Sequence, residues 1–184
     1  MGLIVVAALV VAILLWGVSV YNGLVRRKNI VAEAWSGIET QLKRRADLIP
    51  NLVETVKGYA AHERGTFDEL AKLRSQGQAQ TDVAQRAQTE AAITAAIGKV
   101  MAVAENYPEL KASANFQSLQ NDLANVEDQI QLARRYYNGA VRDLNVMIEQ
   151  FPSNLVANNT GFKPAPFFQI ENDSDRAVPK VSFA

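Results

Sequence analysis

From Leu3 to Tyr21 the chain reads LIVVAALVVAILLWGVSVY, and no charged side chain appears before Arg26. As a helix this stretch is roughly 28 Å long, which matches the hydrocarbon thickness of a bilayer. Ser19 is its only polar side chain, so it has no solvated face of the kind a core helix in a chain of this size carries. Trp16 and Tyr21 stand near its C-terminal end, where aromatic rings favour the headgroup layer. The competing reading, a cleaved signal peptide, wants positive charge before the apolar run and a small-residue cleavage site after it. Only Met1-Gly2 precedes the run, the basic cluster Arg26-Arg27-Lys28 follows it, and YNGLV supplies no A-x-A. These features predict an uncleaved anchor with its N-terminus outside and the remaining mass in the cytoplasm.

Charge and cysteine content narrow the chemistry. Through Arg45 there are six basic and two acidic residues, and from Ala46 onward thirteen basic and seventeen acidic. The basic excess is therefore membrane-proximal, which suits lipid headgroups and not nucleic acid. Arg26, Arg27 and Lys28 are assigned to that headgroup role. With no cysteine, disulfides, thiolate catalysis and Cys-based zinc sites are excluded.

The periodicity after the anchor is helical. Leu24, Val31, Trp35, Ile38, Leu42, Ala46 and Ile49 form one stripe, and no proline interrupts it before Pro50. Anchor and first soluble helix are expected to be one rod, with Gly23 as the place for a bend. Pro50 lacks an amide hydrogen and disfavours helical geometry at Ile49, so the chain is expected to kink or restart near Asp47 to Pro50. A second helix carries Val56, Ala60, Phe67, Leu70 and Leu73 and stops near Gln76 to Gln78. A third opens at Thr81-Asp82, carries Ile93, Ile97, Val100, Ala104 and Tyr107, and ends at Pro108. The fourth stripe is the most regular. Phe116, Leu119, Leu123, Val126, Ile130, Ala133, Tyr137, Ala140, Leu144, Met147 and Phe151 recur in alternating steps of three and four.

The expected fold is all-α: an N-terminal transmembrane helix (residues 1–25) continuing into an antiparallel up-and-down four-helix bundle (26–152), then an extended C-terminal tail (153–184). In that tail Pro164, Pro166 and Pro179 forbid a long helix, while Phe162, Phe167, Phe168 and Phe183 are too apolar for a solvated tail and are expected to dock on a surface. Lys43, Arg44, Arg45 and Asp47 admit two readings. Either their cations face solvent and stabilise the negative end of the first helix, or they form an interaction cluster with acidic partners. In Tyr136-Tyr137-Asn138 a core tyrosine is expected beside polar neighbours.

Several blocks together resemble the LemA family of bacterial membrane proteins. They are YNGLV at Tyr21 to Val25, AWSGIETQLKRRADLIPNLVETVKGYAAHE from Ala34 to Glu63, YPELKASANFQSLQ from Tyr107 to Gln120, ARRYYNGAV from Ala133 to Val141, and FPSNLVA followed by GF and FF from Phe151 to Phe168. The resemblance implies a single-span protein with an antiparallel helical bundle and no established catalysis. It also implies a magnetosome-membrane protein among the relatives and neighbouring genes for membrane proteases in some members.

Enzymatic motifs are missing from the sequence. His62-Glu63 is not completed to H-E-x-x-H, since Thr66 stands where the second histidine is required. No P-loop or G-x-G-x-x-G occurs, and a single histidine cannot supply the two Glu-x-x-His pairs of a di-iron bundle. The expectation is a non-enzymatic scaffold without catalytic residues, cofactor or metal, binding membrane lipid and further copies of itself. The alternatives are an adaptor for a membrane protease or quality-control system, and a carboxylate-metal enzyme drawing on Glu33, Glu39, Glu54 and Asp122.

Overall fold

The computed structural model describes residues 1–60 and 62–169. These form six helices and no strand: α1 (Gly2–Lys57), α2 (Arg64–Ala79), α3 (Val83–Glu105), α4 (Pro108–Lys111), α5 (Ala114–Glu149) and α6 (Ser153–Thr160). They divide into two units, one made of Met1–Leu42 with Asp128–Phe167 and the other of Lys43–Glu127 with Phe168. The docking residue Phe183 lies outside the described residues.

Helix α1 continues through Pro50, so the chain does not restart there. A proline removes the amide that would bond the carbonyl four residues earlier, so the carbonyl of Ala46 needs another donor. Arg74 of α2 supplies it, its Nε donating to Ala46 O at 2.6 Å. Burial of Ile49 and Leu52 on either side holds the turn in place. The break comes later, at a turn where the amide of Tyr59 bonds Val56 O at 3.0 Å, so the single helix expected from Asp47 to Gln76 is divided.

In the second unit one core draws Leu52 and Val56 from α1, Phe67 and Leu70 from α2, Val100 from α3, Leu110 from α4, and Phe116 and Leu119 from α5. Full burial of each large side chain contributes about 1.5 to 3 kcal/mol. Helix α3 begins where expected: Asp82 accepts a hydrogen bond from the amide of Gln85 at 2.9 Å and so satisfies one of the unpaired amides of the first turn.

Along α5 the expected stripe is buried from Phe116 to Ile130 and again at Tyr137 and Leu144, but it then drifts. Val141 and Ile148 are buried where Ala140 and Met147 were expected, and Phe151 is 74% exposed beyond the helix end. A strict seven-residue repeat slides about 20° per heptad around a straight helix, which moves the buried line onto residues 137, 141, 144 and 148.

The tail expected to be extended from residue 153 opens instead as helix α6. Its prolines come too late to prevent an eight-residue helix, and the Ser153 hydroxyl donates to Met147 O at 2.7 Å. Gly161 ends the helix with φ of 77°, a left-handed conformation that glycine takes without a Cβ clash, and the amide of Phe162 bonds Ala157 O at 3.1 Å.

Candidate functional site

The first unit holds the apolar span. No residue of its 18-residue apolar window is buried by the chain, and it is the one helix among those described that is long and apolar enough to cross a membrane. Where the span ends, the rest of the unit begins. Val20 and Leu24 of α1 pack with Leu144 and Ile148 of α5 and with Ala157 of α6. Gly23 allows this approach, since a Cβ there would come within 2.7 Å of the Met147 methyl carbon.

Beyond α6 the chain turns back along α5, and two side chains pin it. Asn145 donates from Nδ2 to Ala165 O at 3.0 Å and accepts from Ala165 N at 2.8 Å, pairing the backbone as a neighbouring strand would. The Tyr137 hydroxyl donates to Pro166 O at 2.9 Å. The Tyr137 ring lies 5.5 Å from Trp35, and Tyr21 meets Phe162 edge-on at 5.9 Å. Together these aromatic rings frame a cleft of about 750 Å³, with Lys28 and Lys163 among its lining residues. A second, apolar groove of about 460 Å³ runs between the span and α6.

Burial raises the Tyr137 phenol pKa above its usual value of 10.0. The unfolded phenol ionises first as pH climbs through 10, so this contribution to stability is complete below that pH and is lost through the folded value. Tyr137→Phe is expected to cost about 1 kcal/mol at neutral pH through the lost hydrogen bond. The variant should also show a shallower fall in Tm from about pH 9 to 11, measured by circular dichroism in detergent. An identical alkaline fall in both proteins would refute the assignment.

The predicted site residues separate. Arg26, Arg27 and Lys28 are all exposed; Arg27 reaches Asp143 at 3.8 Å, and Lys28 enters the cleft. Phe162 is half-buried against Tyr21, Phe167 is largely exposed and Phe168 is buried. Of the cluster at residues 43–47, Lys43, Arg44 and Asp47 face solvent, but Arg45 is only 2% exposed. The helix does not end there, so these cations do not cap a terminus.

Arg45 instead joins three helices of the second unit. Its Nη1 donates to Glu127 Oε2 and to Thr94 Oγ1, each at 2.7 Å, and its Nη2 donates to the carboxylate of Glu90. Glu90 is itself buried and accepts from Arg86 Nε at 2.7 Å, while Arg86 also donates to the carbonyl of Gly77. Two arginines and two glutamates balance in charge. Sequence reasoning did not identify Glu90, Arg86 or Glu127. The available signal was spacing: Arg45 stands three after Leu42 and four before Ile49, and Glu90 three before Ile93, which puts both on buried stripes. Glu33, Glu39 and Glu54 are exposed, and among the described residues no three His, Asp or Glu side chains gather as a metal set.

A family model described as the LemA family matches residues 34–183. Magnetosome protein MamQ 2 of Paramagnetospirillum magneticum is 28% identical over 184 aligned residues, covering 86% of this chain and 68% of that protein. MamQ of Magnetospirillum gryphiswaldense is 24% identical over the same shares. Protein LemA of Metamycoplasma hominis is 27% identical over 149 residues, covering 80% of this chain and 68% of that protein. With the family pattern extending over most of its length, from within α1 to beyond α6, this chain belongs to the LemA family.

Proposed function

We propose that this protein is a single-pass, membrane-anchored helical scaffold without catalytic activity, which self-associates and organises protein or lipid at the bacterial inner membrane. Its helices beyond the anchor would form an antiparallel up-and-down bundle facing the cytoplasm. The observation that carries the reading is the junction at the end of the span. An apolar helix left bare by its own chain passes without a break into a unit whose α5 and α6 close around its last turns. Large apolar side chains also remain exposed outside the span, among them Val146, Phe151 and Leu155, and these suit contact with lipid or with further copies. The MamQ relatives are named as magnetosome proteins, and that supports an organising role.

The test is the mass of the full chain extracted in mild detergent, measured by light scattering. Self-association gives a multiple of the 20.2 kDa chain. A single-chain mass overturns the scaffold reading, and a stoichiometric second protein replaces it with the adaptor. Protease added to intact spheroplasts should spare the helices beyond Lys28; their digestion from outside would reverse the proposed orientation.

A further inference from the structure

The cleft and the apolar groove adjoin, since Tyr21 and Thr160 line both. The groove is walled by Ile13, Leu14 and Val18 of the span and by Leu155 and Val156 of α6. Helix α6 therefore sits beside the last third of the span, and Leu155 is 56% exposed there. Beyond Tyr21 lies the cleft, among whose lining residues are Lys28 and Lys163 and no carboxylate. Lys28 lies about 10 Å beyond Tyr21 along the helix axis, and the Cα–Cβ bonds of a helix tilt toward its N-terminus, here the side of the span. Both volumes fall in the range of roughly 300 to 1,000 Å³ typical of small-molecule sites.

An apolar slot against the span, an aromatic rim and two lysines among lining residues that include no carboxylate match one kind of molecule. We propose that the slot holds a single anionic phospholipid, one acyl chain lying between α6 and the span and the phosphate held between Lys28 and Lys163. This rests on the membrane-anchored reading, since only an embedded span brings lipid to the groove. The two cations disfavour a choline headgroup, and a free phosphate would leave the apolar groove without a complement. Arg26 and Arg27 line neither cavity and so separate the site from general surface charge.

The full chain is reconstituted in nanodiscs of equal parts phosphatidylglycerol and phosphatidylcholine, then released and weighed by native mass spectrometry. We expect one phosphatidylglycerol retained per chain. Retention should fall about thirtyfold in Lys28→Gln/Lys163→Gln, through the loss of two charge contacts. It should fall as well in Thr160→Trp, which fills the junction, and persist in Arg26→Gln/Arg27→Gln. Equal retention of phosphatidylcholine, equal loss in the arginine variant, no retained lipid, or full displacement by soluble glycerophosphoglycerol each overturns the proposal. Alkali washing of the parent membranes is run alongside. Wild-type chain that stays in the membrane but fails these tests sinks the lipid site alone, whereas wild-type chain released by the wash sinks the anchored reading with it.

Discussion

Arg45→Met is expected to lower the unfolding free energy by about 3 to 5 kcal/mol, because it leaves Arg86 as the one cation of the network for the carboxylates of Glu90 and Glu127, the first of them buried. For a chain of this size that is a fall in Tm of roughly 10 °C, read by circular dichroism in detergent. The cost is the stranded charge and not the worth of the pair, so removing both partners should undo most of it. Arg45→Met with Glu90→Leu is expected to recover at least half of that loss, since replacing a buried ion pair by apolar side chains of similar volume is often neutral or better, while Arg86 gives up its carboxylate partner. Arg86 keeps the carbonyl of Gly77 as a partner in that double variant, and Glu127 is exposed enough to take water. A single Arg45→Met that costs less than about 1 kcal/mol would show that the network does not hold the second unit together. What the network adds is register: one guanidinium ties a turn of α1 to a turn of α3 and a turn of α5.

Val10→Asp combined with Val11→Asp is expected to remove the protein from alkali-washed membranes. Each carboxylate near the centre of a span raises the insertion free energy by about 2.5 to 3.5 kcal/mol. Two together shift the partition by about four powers of ten. Neither residue lines the groove beside α6, so lipid binding there is not the quantity being altered. Val10→Leu with Val11→Leu should stay in the membrane as wild type does. Retention of the aspartate variant at wild-type level would show that residues 3–21 do not anchor the chain.

The apolar stripes, the all-helical class and the start of α3 at Asp82 were legible because each depends on neighbours within a few positions. Three features were not, because their causes lie far along the chain. The path of α1 through Pro50 depends on Arg74, which supplies the donor that the proline lacks. The burial of Arg45 depends on carboxylates at 90 and 127, and a run of three basic residues reads as a solvated face until the stripe spacing is applied to charged positions too. The cleft gathers residues from the end of the span, the C-terminal half of α5 and the chain after α6, a set that no local pattern links. Helix α6 was hidden by the prolines after it, which limit helix length but leave room for two turns.

The packing of Ala157 against Val20 and Leu24 has a consequence for how each molecule is made. At about 5 to 20 residues per second, the ribosome needs on the order of ten seconds to pass from Leu24 to Ala157. Throughout that interval the exit turn of the span waits for a cover that has not yet been translated. A chain broken off before α6 keeps that side bare for as long as it exists, so such a copy is chemically distinguishable at the membrane surface, and only translation through α6 removes the mark.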